Sequence, residues 1–588
     1  MTESRIIKKG DNFKFLINRK EYPPVAYITY FEENNDYEKF AEQGFKLYSV
    51  TVSFANKPIN SGTGFKPFLK GIFDTENKPD FSSVDEAFEK ILNACPDAYI
   101  FPRVYITMPD WWIEENGTEV IETPASGKRE VLYSEKFRED AAKLLKELIA
   151  YIENSKYSDR VFAYHLSGGN TQEWFHLDLN GGYCENALKY FNKYLKERNS
   201  AEVSKLPSLK ECENEGEIND ENLVRYLEFA NESVANTIEF FCKTAKEVLN
   251  YKKIVGSFYG YNLEVMSPLW GTHRLSKLLD SENIDFFSSP NSYNGQRSLG
   301  CDWYDMMPNE SLKLHGKLPF MENDIRTYLT KYPEDARKGC DPERRYDVPV
   351  FKGPETEVLS LSAVNKSFAR QITHNNGMWW FDMFGHWYNS PALLKAAKNS
   401  LDAYSVLKAE EAILKTEIAI FVDENISSNF GSRSRLYTYP NVIREVMSKC
   451  SVPYDIFLLN DYKRAADEKD YKVFIFISNE NSELFIAAKE LCDNKNMPYI
   501  LFSNETECLN KENIIKFLKA KGVHIYSESS DILYVGNGYL AIHAITEGEK
   551  VINLPKTVKL TDEFGNMLDK DKLKINMEKF DTKIFKIG

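Results

Sequence analysis

Cysteine is sparse in this 588-residue sequence: there are nine, and no two of them form a CxxC pair. An odd, scattered set excludes a disulfide framework and a zinc knuckle, and individually buried thiols are the expectation. Histidine is equally scarce, with eight in all. Without HExxH spacing or a His/Cys cluster, neither a structural metal nor a cofactor is expected. A GxSxG elbow, a P-loop and a Gly-rich kinase loop are also missing, so serine-nucleophile and phosphoryl-transfer chemistries lose their usual supports. No window of ~20 apolar residues is present to span a bilayer. Met1 to Asp11 lacks the apolar stretch of a signal peptide, which makes a cytoplasmic location the expectation. A positive balance is lacking too: the formal charge is -14. Nucleic-acid surfaces need a Lys/Arg footprint, so a neutral partner such as an oligosaccharide fits better.

What is present is an ordinary globular composition, 43% apolar and 28% charged, with aromatics at 14% including eight Trp. A chain of this length outgrows a single core and should divide into two or three domains. From 23 to 397 it alternates β-branched and aromatic runs with amphipathic helical stretches, the pattern of repeated βα units. Eight strand segments stand out: 23–31, 45–54, 97–106, 161–168, 253–261, 284–290, 317–323 and 376–383. Eight is the number that a closed (β/α)8 barrel requires, and residues 1–405 are assigned to it. Residues 406–530 read as a flavodoxin-like, doubly wound α/β domain, with strands at 417–424, 454–460, 471–478, 497–503 and 522–528. No GxGxxG follows its first strand, so a dinucleotide site is not expected. Residues 531–588 carry short strand runs separated by turns such as EGEK and DEFGN, the mark of a small antiparallel β domain.

Reacting groups of a barrel of this kind cluster where the strands exit, and two carboxylates fall there. Glu173 follows the fourth strand in YHLSGGNTQEWFH, and Glu322 ends the seventh in KLPFMEND. Such a pair suits glycoside hydrolysis, in which one carboxylic acid protonates the leaving oxygen and the other carboxylate meets the oxocarbenium-like carbon or activates water. On strands four and seven, a spacing of ~5–5.5 Å is expected, which is that of a retaining enzyme. Glu173 should then titrate high and act as the acid, with Glu322 staying ionised as the nucleophile. Arg103 on the third strand either supports that charge or is a structural ion-pair partner. Tyr293 can donate to Glu322 or merely pack. Trp380 is the candidate platform under a sugar ring, its neighbour Trp379 being assigned to the core because adjacent strand residues face opposite ways. His165 reads more readily as a core histidine than as a binding one, and Trp111 and Asp382 are weaker candidates for the pocket wall.

These segments carry a resemblance. FLINRKEYPPVAYITY, PRVYITMPDWW, SGGNTQEW, PFMENDIRTYL, GMWWFDMFGHWY and EIAIFVDE, in this order, resemble the family 42 β-galactosidases within the clan of (β/α)8 retaining β-glycosidases. The resemblance implies Glu173 as acid/base, Glu322 as nucleophile, Arg103 as the barrel arginine and a homotrimer built through the 406–530 domain. It departs at Gln172, where the family has Asn to meet the sugar 2-hydroxyl, and the cysteine cluster that binds zinc in some members is not evident. A longer amide shifts that contact by about a methylene, so β-mannoside or another β-glycoside specificity stands beside β-galactoside. A non-catalytic carbohydrate-binding protein on the same barrel is the remaining alternative.

Overall fold

The computed structural model describes residues 2–59, 65–123, 127–176, 183–264, 268–407, 414–506, 510–562 and 565–588. Eight parallel strands close into a barrel: β1 (Val25–Thr29), β2 (Leu47–Ser53), β3 (Arg103–Ile106), β4 (Ala163–Gly168), β5 (Ile254–Phe258), β6 (Phe286–Pro290), β7 (Leu318–Asn323) and β8 (Gly377–Phe381). β8 returns to β1 with Met378 opposite Val25 and Phe381 opposite Ile28, so the ring has no open edge. The eight expected strand segments fall on these eight strands. Every residue of β1, β2 and β4 to β8 is buried, on one face by the barrel interior and on the other by helices. That is why the sequence shows continuous apolar runs here rather than alternation.

The third expected strand is interrupted. A two-residue piece, Tyr99–Ile100, and β3 sit in one register on β2, with Leu47 opposite Tyr99 and Thr51 opposite Arg103. Between them lies Pro102, which has no N–H to give to the ladder. An antiparallel meander, Ser4–Lys9, Asn12–Ile17 and Lys20–Tyr22, precedes β1 and was not foreseen. It closes the N-terminal end of the barrel: the ring of Phe15 lies 5.3 Å from Phe162 and 5.5 Å from Phe320, edge-on to both. The opposite end, where the strands exit into the βα loops, is left for the candidate site.

The second sheet is parallel, with β9 (Ile418–Val422), β10 (Asp455–Leu458), β11 (Val473–Ile477) and β12 (Tyr499–Phe502) in the order β10-β9-β11-β12. This is the doubly wound arrangement, with four strands rather than the expected five. Segment 522–528 is not a strand, because its backbone donors go elsewhere: His524 N–H to the Glu417 carboxylate at 2.8 Å and Tyr526 N–H to the Ser451 carbonyl at 3.2 Å. The third sheet is antiparallel: β13 (Ile532–Gly536), β14 (Tyr539–His543), β15 (Gly548–Thr561), β16 (Met567–Met577) and β17 (Thr582–Ile587), ordered β13-β14-β17-β15-β16. β16 escaped the sequence reading because MLDKDKLKINM is a lysine-rich edge strand, and charge on an edge masks the apolar alternation. Arg444, fully buried on the helix Arg435–Ser448, joins the second domain to the barrel by donating to the carbonyls of Leu263, at 2.7 Å, and Asp305. Among the described residues no helix is long and apolar enough to cross a membrane.

Candidate active site

Glu322 is the penultimate residue of β7 and faces the barrel interior, opposite Pro290 on β6 and Trp379 on β8. Arg103, the first residue of β3, reaches across and donates from Nη1 to Glu322 Oε2 at 2.9 Å. Its guanidinium lies 5.1 Å from the ring centre of Phe258 and 5.9 Å from that of Tyr30, so the charge pair is dry. An ion pair in such surroundings is held by geometry rather than by bulk screening.

Glu173 is positioned by a loop instead of a strand. Gly168 closes β4, and a Cβ there would stand 2.4 Å from the Trp174 ring. Gly169 then turns left-handed, and so do Thr171, Gln172 and Trp174, at φ 59°, 66° and 60°. Side chains resist that region, so surrounding contacts must hold the loop. They do: Thr171 N–H donates to the Ile59 carbonyl at 2.8 Å, Trp174 N–H to the Gly168 carbonyl at 2.7 Å, and the buried Trp174 indole N–H to Ser257 Oγ at 3.0 Å. The result aims Glu173 inward, where it accepts a hydrogen bond from the Tyr261 hydroxyl at 2.9 Å and another from the Thr171 hydroxyl.

Burial pushes the Glu173 carboxyl up to about 7, against the hydroxyl bonds and the more distant Arg103, which favour its ionised form. Glu322 is raised as well. Burial is again the main cause, Arg103 opposes it, and the negative charges of Asp324 and Glu173 add to it. The expectation that only Glu173 titrates high is therefore corrected: both carboxyls are raised, and each lies within the field of the same groups.

The other expected residues separate into two groups. His165 stands inside the barrel opposite Arg103, with Nε2 2.7 Å from Ser288 Oγ and its ring against Phe258, Phe286 and Trp379. Burial and Arg103 depress its pKa well below the usual value, so it is neutral. Tyr293 donates to Asp324 at 3.2 Å rather than to Glu322. Trp111 is half-buried on the helix after β3, its indole N–H on the Phe73 carbonyl at 2.9 Å. Gln172 is buried, and neither end of its amide has a hydrogen-bond partner.

Trp380 and Asp382 face away from the site. The Trp380 indole donates at 3.2 Å to Ser400, on the helix Pro391–Ser405 outside the barrel. Asp382 receives Tyr27 OH at 2.7 Å and the backbone N–H groups of His386 and Trp387, both at 2.9 Å, and so ties a loop. The parity expected for β8 was inverted. Register sets it: Trp379 pairs with the inward Glu322, so Trp379 points inward, and its ring packs on His165 and Phe320. Sequence reasoning also missed Tyr30, Tyr261 and Asp324. Asp324 and Tyr30 lie just past the exits of β7 and β1, and Tyr261 is the last residue of the expected segment 253–261, so the rule that found Glu322 could have flagged all three.

Fold and site together define a (β/α)8 barrel with one buried and one half-buried glutamate at its open end. No family model matches the sequence, and no curated protein matches it. Among solved structures, the β-galactosidase from Bacillus circulans sp. alkalophilus superposes with a TM-score of 0.63 at 12% identity, covering 96% of this chain and 99% of that one. A catalytic mutant of Gan42B, a GH42 β-galactosidase from G. stearothermophilus, gives 0.62 at 11% identity, with 96% and 98% covered. The apo exo-carrageenase GH42 from Bacteroides ovatus gives 0.60 at 11%, covering 99% of this chain and 84% of that one. At such identities the likeness establishes the shared three-domain fold, which extends over nearly the whole chain.

Proposed function

We propose that the protein is a retaining, exo-acting β-glycosidase that removes terminal sugars from short oligosaccharides. The observation that carries this reading is the asymmetric pair: one interior glutamate on a guanidinium, the other on two hydroxyls. Arg103 stabilises negative charge on Glu322, and Glu173 is bonded to neutral hydroxyls, which suits an ionised Glu322 beside a protonated Glu173. Glu173 then acts as the acid, giving its proton to the glycosidic oxygen while Glu322 attacks the anomeric carbon. Glu173, now ionised, next takes a proton from the water that releases the glycosyl-enzyme. The neighbours' names, two β-galactosidases and an exo-carrageenase, support a glycosidase.

The unpartnered Gln172 amide, one residue before Glu173, is suited to a sugar hydroxyl, since a buried donor and acceptor left unpaired are costly until a ligand meets them. A β-galactoside is the leading substrate, with β-mannoside and other β-glycosides set apart by this contact. An aromatic wall favours a pocket over an open cleft: Tyr346 packs on Phe65 at 5.3 Å and on Phe351 at 3.8 Å. The reading keeps the division into 1–405, 406–530 and 531–588, with a cytoplasmic homotrimer formed through the middle domain. A panel of p-nitrophenyl β-glycosides tests it. At least one should be cleaved with net retention, and a 2-fluoro glycoside should leave an adduct on Glu322. Sugar binding without turnover of any member would instead identify a non-catalytic binding protein, and full turnover in Glu322→Ala removes Glu322 from the chemistry.

A further inference from the structure

Asp324, two residues beyond Glu322, is fully buried and carries more positive charge than it can neutralise. Arg297 donates to its carboxylate and, at 3.0 Å, to its carbonyl. Arg326 Nη1 donates to the same carboxylate at 2.6 Å and to the carbonyl at 2.8 Å, and Tyr293 OH adds a further bond at 3.2 Å. Arg297 spends its remaining donors on the carbonyls of Ser292 and Asn291. Arg326 does not. Its Nε and Nη2 are buried with no acceptor, and so is the indole N–H of Trp387, whose ring centre lies 5.3 Å from the Arg326 guanidinium. Nε and Nη2 form one edge of the guanidinium, the fork that meets a carboxylate or sulfate with two parallel bonds.

Aromatic and charged neighbours link this edge to the glutamates. Arg326 lies 4.9 Å from the ring centre of Phe351, Phe351 stacks on Tyr346, and the Tyr346 hydroxyl is under the influence of Arg326, Asp324, Glu173 and Glu322 together. When Glu173 holds the proton its role requires, the described residues bond three guanidinium groups, Arg103, Arg297 and Arg326, to two carboxylates, Glu322 and Asp324. A positive surplus opposes the oxocarbenium-like charge that develops at the sugar, unless the substrate brings a negative charge of its own.

Resting on the glycosidase reading above, we infer that the substrate carries an anionic substituent, a sulfate ester or a carboxylate, gripped by the free Nε/Nη2 edge of Arg326. Neutral sugars then lack the partner for which this edge is built. The test compares kcat/KM for aryl β-galactoside with its ring-sulfated isomers and with aryl β-galacturonide, in the wild type, Arg326→Gln and Arg326→Lys. One charged member should exceed the neutral parent by about tenfold or more, as charge-assisted bidentate bonds allow. Arg326→Gln should bring that ratio close to one, and Arg326→Lys, which keeps the charge and loses the fork, should fall between. Because the readout is a ratio within one protein sample, partial misfolding of a variant does not imitate the result. Preference for sulfate over carboxylate, or the reverse, identifies the group. A wild type that favours the neutral parent over every charged member, or a ratio unchanged in Arg326→Gln, overturns the inference. If nothing is hydrolysed, calorimetry with galactose sulfates and galacturonate separates the two readings: binding lost in Arg326→Gln keeps the anion site and rejects the hydrolase, whereas no binding of either ligand rejects the site.

Discussion

Glu173, half-buried, and Glu322, buried, are carboxylates at one end of one barrel, yet they are held in opposite ways. Glu322 grows from a regular strand, so its direction is set by the pleat and its neighbour is a full positive charge. Glu173 sits on a turn with three left-handed side-chain-bearing residues, and its neighbours are neutral hydroxyls. The difference teaches that burial alone raises both groups and cannot assign their roles. The partner does so, because a guanidinium stabilises only the ionised form, whereas a hydroxyl can turn to serve either form.

The largest effect that can break this contrast is removal of each carboxylate. Glu322→Gln should lose on the order of 10⁴-fold in kcat on every substrate. Glu173→Gln should lose about 10²–10⁴-fold on alkyl glycosides, and far less on dinitrophenyl glycosides whose leaving group needs no proton. Equal dependence on leaving group in both variants would mean that the assigned roles are wrong. Next comes Arg103→Met, expected to cost about 10²–10³-fold, the scale of a lost electrostatic partner. Without that cation Glu322 rises further, so the acidic limb of the pH–rate profile should move to higher pH.

A smaller effect appears in stability. Glu173 is raised in the folded state from 4.5 to about 7, so its protonation favours folding below about 4.5, and this contribution is lost as pH climbs through about 7. Glu173→Gln should therefore melt higher than wild type at pH 8, by about 1–3 kcal/mol equivalent, with the gap closing at pH 4. Thermal melts at the two pH values check the sign. Smallest of all, Tyr261→Phe should reduce kcat only a few-fold. Loss of its donated bond raises Glu173 further, and the basic limb should shift upward; a downward shift would show that the hydroxyl accepts rather than donates.

Much of this was legible in the sequence because strand exits are marked by position. The segments that became β1 to β8 were found from their apolar runs, and Glu173 and Glu322 from where those runs end. The face of each residue was harder to read. In GMWWFDM both alternating sets are large and apolar within the strand, Met378 and Trp380 against Trp379 and Phe381, so composition could not choose, and only pairing with Glu322 fixed Trp379 inward. Tyr261 was passed over for another reason. It ends the expected segment 253–261, but the strand stops at Phe258, so its approach to Glu173 depends on the course of the loop that follows. The meander before β1 was missed because its one apolar alternation, the buried Phe13, Phe15 and Ile17, is confined to a short strand between two polar ones.

Arg444 gives the middle domain a reach beyond its own borders. Its guanidinium clasps the carbonyls of Leu263 and Asp305, in the loops leaving β5 and β6, and the first of these lies two residues from Tyr261. A shift of the middle domain would therefore pull on the loop whose hydroxyl is bonded to Glu173, through one side chain that is itself no part of the site.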